Sequence, residues 1–321
     1  MNRSSFEAIL RGVLLVTTPI AGVMTGCSED NCGALYTNTY ALDGEDGGAT
    51  DGGATDGGAT DGGATAGDCF ELCKARGPFP GRCGFSKDAD GNDEVWCEWQ
   101  NICEGRRPPG LASRPSPKGA SHIGRFFARA SHNEAASVDA FQIVRDELRA
   151  HAAPRPLVRA AIRSARDEVR HARMTAALAR RYGATVERPL VLRRPIRGLA
   201  EIALENAAEG CVRETYGALV AAWQARASVD PVVRAVMRRI ARDEARHAAL
   251  GWEVARWAEA RLSRADRARV SEARDSARRA LSEAATQEVP EELIRYAGLP
   301  RPAHARAILE ELARALPLSP Q

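Results

Sequence analysis

One eight-residue segment occurs twice in this chain. ARDEVRHA at 165–172 returns as ARDEARHA at 241–248, and seven of the eight positions are identical. Each copy contains Glu-x-x-His with an Asp directly before the Glu. Residues three apart are neighbours on the surface of an α-helix, so each copy would place its Glu beside its His. The repeat therefore predicts two helices that present the same pair of side chains.

The apolar residues around the two copies indicate which side of each helix is buried. Two stripes at helical spacing run through them: Val158, Ala161, Ile162, Ala165, Ala172, Ala176 and Ala179 in the first helix, and Val233, Val236, Met237, Ile240, Ala248, Gly251 and Ala255 in the second. Glu168 and Glu244 fall inside these stripes, with His171 and His247 one turn on. A single Glu-x-x-His is more often surface decoration than a ligand pair. Two copies on apolar faces favour a metal site, because a buried carboxylate is costly unless it is paired or bound to a metal.

The chain from about residue 122 onward predicts an all-α fold. It is rich in Ala, Arg, Leu and Glu and has few strand formers. Proline and glycine residues divide it into four long helices, at about 130–152, 155–182, 198–228 and 231–262. A weaker fifth helix is predicted at about 264–287. We expect a ferritin-like four-helix bundle over 122–262 and a helical C-terminal extension over 263–321.

The other two long helices should each supply one buried carboxylate. Glu134 lies on the apolar stripe of the first helix, and the third helix offers Glu205, Glu209 and Glu214. Glu134 precedes Glu168 by 34 residues and Glu209 precedes Glu244 by 35, which suggests a duplicated helix pair and favours Glu209. Glu205 is predicted to bind as an additional ligand or to support the ligands, and Glu214 lies to one side of the stripe. The predicted metal ligands are Glu134, Glu168, His171, Glu209, Glu244 and His247.

Glu, Glu-x-x-His, Glu, Glu-x-x-His is the ligand pattern of ferritin-like di-iron carboxylate bundles. The chain resembles that superfamily over about 125–260, and IARDEARH is similar to the corresponding helix of the small subunit of class I ribonucleotide reductase. The resemblance implies that Asp167 and Asp243 hydrogen-bond His247 and His171 across the bundle.

Four carboxylates and two imidazoles suit two Fe ions, with Mn as the alternative. The resemblance implies O₂ as a co-substrate, because a pair of Fe(II) ions can supply two electrons to it. Three functions stay open: a di-iron oxidase or oxygenase on an unknown substrate, a ferroxidase or iron-handling protein, and a non-enzymatic lipoprotein whose bundle is a binding scaffold. The electron donor is not indicated, and a homodimer is compatible with the sequence.

The first 26 residues have the features of a bacterial lipoprotein signal peptide. Arg3 and Arg11 come before a short apolar run. The run ends in MTGC, which resembles a lipobox. Lipidation of Cys27 would anchor the chain on the periplasmic or cell-surface side of a bacterial membrane, and the outer membrane is weakly favoured. The alternative is an ordinary cleaved signal with Cys27 incidental.

Two acidic segments follow the signal. Residues 27–66 contain four copies of DGGAT and are predicted to be a disordered tether, since they carry little apolar surface to bury. Residues 67–104 are predicted to form a disulfide-rich module. A zinc site is the competing interpretation of its cysteines. The disulfide candidates are Cys32, Cys69, Cys73, Cys83, Cys97 and Cys103.

The two halves of the chain differ in charge. Residues 28–104 contain 16 acidic and 4 basic side chains, whereas Lys118 is the only lysine in the arginine-rich remainder from 105 to 321. Residues 105–121, rich in Pro, Gly and Ser, are predicted to be a linker. The arginines could suit an anionic surface, but a solvated helix face is favoured and no nucleic-acid partner is predicted. Cys211 is interpreted as a small core residue.

Overall fold

The structure is a computed structural model of the chain. It describes residues 35–41, 72, 82–87, 93–100, 106–111, 121–192 and 195–315. The chain divides into two compact units, one formed by residues 34–101 and one that includes residues 102–321. The predicted signal peptide, the DGGAT repeats, Cys27, Cys32, Cys69, Cys73 and Cys103 lie outside the described residues.

The smaller unit contains a three-stranded antiparallel sheet. Its strands are β1 (Leu35–Ala41), β2 (Arg82–Lys87) and β3 (Asp93–Gln100), in the order β1-β3-β2. The register places Cys83 opposite Cys97. The strand β1 lies within residues 27–66, which were predicted to be a disordered tether. Its sequence, LYTNTYA, contains two Thr and two Tyr, residue types that favour a strand.

The larger unit is all-α in its described part, as predicted. Its α-helices are α1 (His122–Ala150), α2 (Arg155–Arg181), α3 (Leu199–Asn206), α4 (Glu214–Ala227), α5 (Pro231–Glu259), α6 (Arg264–Ala284) and α7 (Pro302–Ala315). Two π-helical segments are π1 (Ala207–Arg213), which joins α3 to α4, and π2 (Leu293–Ala297). None of the described helices combines the length and the apolar character needed to cross a bilayer.

Local signals explain most helix boundaries. The helix α1 begins eight residues earlier than the predicted residue 130, because Ser121 caps it: the Gly124 N–H donates to Ser121 Oγ at 2.9 Å. Pro156 lies in the first turn of α2 and Pro231 begins α5, where a missing N–H costs nothing. Asp230 caps α5 by accepting from the Val232 N–H at 2.7 Å.

The long helices pack in pairs around two apolar regions. The helix α1 packs along α2, α4 packs along α5, and α2 also contacts α5. One apolar region includes Phe127, Leu178 and Met237, and the other includes Phe141 and Leu148. Along α1, α2 and α5 the buried acidic residues and histidines lie between these two regions. The hydrophobic core therefore encloses a polar centre from both ends.

Candidate metal centre

Four glutamates and two histidines come together inside the helical unit. We call this set the carboxylate–histidine cluster, and all of its members are buried. The helix α1 supplies one glutamate, α2 and α5 each supply a Glu and a His from the repeated segment, and α4 supplies its first residue. Its members are Glu134, Glu168, His171, Glu214, Glu244 and His247.

The ring of His171 faces three of these carboxylates. Its Nδ1 atom lies 3.1 Å from Glu244 Oε1, 3.5 Å from Glu168 Oε2 and 3.6 Å from Glu134 Oε2. The carboxylates thus come from three different helices. One imidazole and three carboxylates converge on one side of the cluster.

The ring of His247 has the equivalent surroundings. Its Nδ1 atom lies 3.0 Å from Glu168 Oε1, 3.5 Å from Glu244 Oε1 and 3.9 Å from Glu214 Oε2. Glu168 and Glu244 therefore face both imidazoles, whereas Glu134 approaches only His171 and Glu214 approaches only His247. This arrangement is that of two adjacent sites with two shared carboxylates.

The donor atoms of the cluster fit a metal ion. Potential ligand atoms of Glu134, Glu168, His171 and Glu244 lie within 4.8 Å of one another, and those of Glu214, Glu244 and His247 form a second such group. Among the described residues, both oxygens of Glu134, Glu168 and Glu214 are buried without a hydrogen-bond partner. A buried carboxylate without partners costs several kcal/mol, and a bound cation would offset that cost. These buried groups could hold a metal ion.

Neighbouring charges separate the pKa values of the four carboxylates. Burial and the adjacent Glu168 raise the pKa of Glu134, and burial and Glu244 raise the pKa of Glu214. Burial also acts to raise the pKa values of Glu168 and Glu244, but the two histidines outweigh it and lower both. The two shared carboxylates are therefore the ones that stay ionised.

The imidazoles respond in the opposite sense. Burial alone would lower the pKa values of His171 and His247, but the carboxylates around them raise both above the ordinary value. Without a metal, the two imidazolium charges balance the two ionised glutamates. A metal ion would have to displace these protons in order to bind.

The outer nitrogen of each imidazole contacts the Asp of the other repeat. His171 Nε2 lies 3.3 Å from Asp243 Oδ2, and His247 Nε2 lies 3.5 Å from Asp167 Oδ2. This crossed contact is the one that the resemblance implies. Burial acts to raise the pKa of Asp167, but hydrogen bonds from His247, Arg246 and Arg170 lower it to about 2.

Arginines of the repeats hold the two aspartates. Arg246 Nη2 lies 2.8 Å from Asp167 Oδ2 and 2.6 Å from Asp243 Oδ1. Arg170 also contacts both aspartates, and its Nη2 atom lies 3.2 Å from Asp243 Oδ2. Sequence reasoning missed this role, although Arg170 and Arg246 occupy equivalent positions in the two copies. Asp167 is thereby held between an imidazole and two guanidinium groups. Asp243 is held between an imidazole and three, because Arg239 Nε also lies 3.2 Å from Asp243 Oδ2.

The structure does not bring Glu209, which was predicted to be a metal ligand, into the cluster. Glu209 pairs with Arg213, and its Oε2 atom accepts from the Arg107 N–H at 3.3 Å. Glu214 takes the expected position instead. The prediction assumed a regular helical period, whereas π1 contains Glu209, ends directly before Glu214 and closes i→i+5 hydrogen bonds, including the one from the Glu214 N–H to the Glu209 carbonyl. The extra residue rotates everything that follows, which turns Glu214 toward the centre.

Close packing against α5 accompanies π1. A Cβ atom on Gly251 would lie 2.1 Å from the Gly210 carbonyl oxygen, so a side chain there requires the backbone to move. The Asn206 amide donates to the Gly251 carbonyl at 2.8 Å. Cys211 is buried beside the same carbonyl, with its Sγ 3.6 Å away, and burial raises its pKa to about 12. Cys211 is therefore a core residue, as interpreted.

Glu205 lies outside the cluster as well. Its carboxylate accepts from Arg106 Nε at 3.0 Å and from Arg106 Nη2 at 2.7 Å, and both side chains are buried. Arg106 belongs to the segment 105–121 that was predicted to be a linker. Residues 106–111 instead lie against the helices: the Ser137 hydroxyl donates to the Arg106 carbonyl at 2.9 Å. Nothing in the proline-rich sequence around Arg106 distinguishes it from an exposed arginine, so its burial could not be predicted from the sequence.

The fold and site together define a helical protein with a buried carboxylate–histidine cluster that could bind metal. No protein-family model matches the chain, and no curated protein or solved structure matches it either.

Proposed function

We propose that this chain is a ferritin-like di-iron carboxylate protein that reacts with O₂ as an oxidase or oxygenase. The observation that carries the proposal is the pair of glutamates, Glu168 and Glu244, each of which faces both imidazoles. Two ions that share carboxylates need this arrangement. The membrane anchor at Cys27 and the choice of iron over manganese belong to the same proposal.

Each residue of the cluster has a distinct part in the proposed centre. Glu168 and Glu244 would contact both ions, because each lies between the two imidazoles. Glu134 and Glu214 would each bind one ion, since each approaches a single histidine. The two histidines would complete the pair of sites. The donor set of oxygen and imidazole nitrogen suits iron or manganese.

The surrounding residues would keep this arrangement rigid and dry. Asp167 and Asp243 orient the rings through the outer nitrogens, which fixes Nδ1 as the atom that faces the centre. The Phe141 ring lies 4.9 Å from the His247 ring and excludes water from that side. Two Fe(II) ions would supply two electrons to O₂, and this chain's residues would supply their fixed positions and a buried environment.

The test is metal content. The full chain, freed of metal and loaded anaerobically with Fe(II) or Mn(II), should bind two ions per chain. Glu168→Ala and Glu244→Ala should each lower the content to one ion or fewer, because each removes a group shared by both sites. Glu201→Ala, at an exposed position of α3, is the matched control and should leave two ions bound. A content below one ion in the unaltered chain would refute the proposal.

Exposure of the Fe(II)-loaded chain to O₂ separates the candidate activities. The proposal expects rapid O₂ consumption and a change in the absorption spectrum that Glu168→Ala abolishes. Sustained turnover with Fe(II) as the only reductant would instead assign a ferroxidase. Metal binding without any O₂ consumption would indicate that the bundle is a non-enzymatic binding scaffold.

A further inference from the structure

The repeated segment contains arginines that the metal centre does not use. On α2, five arginines are spaced by four, three, four and three residues: Arg159, Arg163, Arg166, Arg170 and Arg173. This spacing keeps them on one face of the helix, over a length of about 21 Å. On α5, Arg238, Arg239, Arg242 and Arg246 form the corresponding group. All but the half-buried Arg170 are exposed.

The two groups form one surface because α2 and α5 run antiparallel. Arg170 contacts Asp243, Arg246 contacts Asp167, and Arg181 Nε lies 3.5 Å from Asp230 Oδ2. Higher numbers on α2 thus pair with lower numbers on α5. Arg170 and Arg246, each just under half exposed, mark where the two faces meet. We call the exposed arginines of both helices, Arg159, Arg163, Arg166, Arg173, Arg238 and Arg242, the arginine surface.

The positive charge of the arginine surface is not neutralised by the helices that carry it. The acidic residues of α2 are Asp167 and Glu168, and those of α5 are Asp243, Glu244, Glu253 and Glu259. The first four of these six are buried, and the two aspartates are already paired with Arg170, Arg246 and Arg239. Glu259 pairs with Arg274 of α6, and Glu253 is exposed near the C-terminal end of α5. Within the described part of the chain, none of the six arginines of the surface forms an ion pair. These six guanidinium groups are therefore available to bind an anionic partner.

Apolar side chains lie at one end of this surface. Val229, Val232 and Tyr296 are 49%, 41% and 36% exposed, and they are three of the six exposed large hydrophobic residues found in the described ranges. The Val229 N–H donates to the Arg295 carbonyl at 2.9 Å, and Arg181 of α2 pairs with Asp230 beside them. An exposed apolar group next to a row of cations is typical of surfaces that bind at a membrane interface.

We propose that the arginine surface docks on an anionic phospholipid membrane, with Val229, Val232 and Tyr296 entering its interface. Guanidinium groups bind phosphate oxygens through paired hydrogen bonds, and phospholipid headgroups present such oxygens in a plane. Nucleic acid is less well matched, because α2 has no aromatic residue on which a base could stack. The proposal is independent of the metal centre, since none of the six arginines touches the cluster.

Chemical footprinting of the full chain tests this docking whether or not Cys27 carries a lipid. An arginine-specific dicarbonyl reagent is applied with vesicles of phosphatidylcholine alone or of phosphatidylcholine with phosphatidylglycerol, and modification at each arginine is read by mass spectrometry. With the anionic vesicles, modification of Arg166, Arg173, Arg238 and Arg242 should slow roughly threefold or more. Arg264 and Arg267, exposed on α6, are the matched controls and should react at unchanged rates. NaCl at about 1 M should remove the protection, because the Debye length is then about 3 Å.

A variant pair supplies the second measurement. Arg166→Gln/Arg242→Gln should raise the anionic lipid concentration needed to protect Arg173 and Arg238 by roughly 25-fold, since each arginine contributes about fivefold. Arg264→Gln/Arg267→Gln should leave that concentration unchanged. Three results would overturn the proposal. The first is equal modification with and without anionic lipid. The second is protection that rises with protein concentration in the absence of vesicles, which would indicate that a second copy of the chain covers the surface. The third is stronger protection by a DNA oligonucleotide than by anionic vesicles at equal phosphate concentration.

Discussion

At the scale of single residues, the choice between two buried glutamates as the metal ligand depends on which of them already has a hydrogen-bond or ion-pair partner. Glu209 and Glu214 are both buried glutamates on the same stretch of chain. Glu209 is neutralised by Arg213 and by a backbone N–H of the segment 106–111. Glu214 has no hydrogen-bond partner among the described residues and approaches His247 instead. A carboxylate without a local cation is the one that is available to an incoming metal.

We therefore expect Glu214→Ala to lower metal content more than Glu209→Ala. Loss of Glu214 should remove about one of the two ions, because it approaches only the His247 site, whereas Glu209→Ala should retain both. Metal analysis of the two variants after anaerobic Fe(II) loading checks this. Equal losses in the two variants, or a larger loss in Glu209→Ala, would show that the metal-bound chain rearranges around π1.

Metal binding should also depend on pH with a definite sign. The pKa values of His171 and His247 are raised by the surrounding carboxylates, and those of Glu134 and Glu214 by burial, so these groups hold protons that a metal must displace. The affinity for Mn(II) should accordingly increase as the pH rises from about 6 to about 8. The proton on an ordinary histidine, with a pKa of about 6.5, would stop competing with the metal before the upper end of this range.

Calorimetric titrations of Mn(II) in buffers of different ionisation enthalpy measure the protons released. More than one proton per chain is expected. The same titrations on Glu201→Ala provide the control and should give the affinity and proton release of the unaltered chain, because this exposed residue lies outside the cluster. Affinity that stays constant between these pH values would mean that the imidazoles are already neutral in the metal-free chain.

At the scale of elements, regular helices were predictable and the irregular segment was not. The apolar stripes of α2 and α5 predicted correctly that Glu168, His171, Glu244 and His247 face the interior. The helical period failed between Ala207 and Arg213, because no residue type in AAEGCVR signals i→i+5 hydrogen bonds. The close contact between Gly210 and Gly251 is a tertiary feature, and it shifts the position of Glu214 without any change in composition.

This dependence makes Gly251→Ala a test of the role of π1. The added Cβ would meet the Gly210 carbonyl oxygen at 2.1 Å, so π1 must move away from α5. We expect the unfolding free energy to fall by roughly 1–3 kcal/mol, as for other overpacked core sites, and the ion beside Glu214 to be lost first. Gly217→Ala is the matched control, since a Cβ at Gly217 meets no atom within 4 Å. Unchanged stability and full metal content in Gly251→Ala would show that π1 adapts freely.

At the scale of the whole molecule, residues 106–111, which lie far in sequence from α3 and π1, pack against both of them. Arg106 lies 99 residues before Glu205 and is buried against it. The adjacent residue, Arg107, donates its N–H to Glu209. The isolated bridge between Leu111 and Val191 holds the other end of this segment. Composition identified residues 105–121 as a linker, and composition carries no information about such pairing over long sequence distances.

The Arg106–Glu205 pair should consequently contribute strongly when one partner alone is removed. Arg106→Leu leaves Glu205 as a buried carboxylate without its bidentate partner and with Arg197 Nη2, 3.6 Å away, as its remaining cation. We expect the unfolding free energy to fall by roughly 3 kcal/mol. Arg106→Leu/Glu205→Leu removes both charges and should recover most of that loss, because two apolar side chains carry no desolvation cost. Chemical denaturation of Arg106→Leu, Glu205→Leu and the double variant measures the coupling between the two side chains. The exposed pair Arg301–Glu291 is the control, and Arg301→Gln should change stability by about 1 kcal/mol or less. If the losses of unfolding free energy in the two single variants simply added up in the double variant, residues 106–111 would not be anchored by this pair.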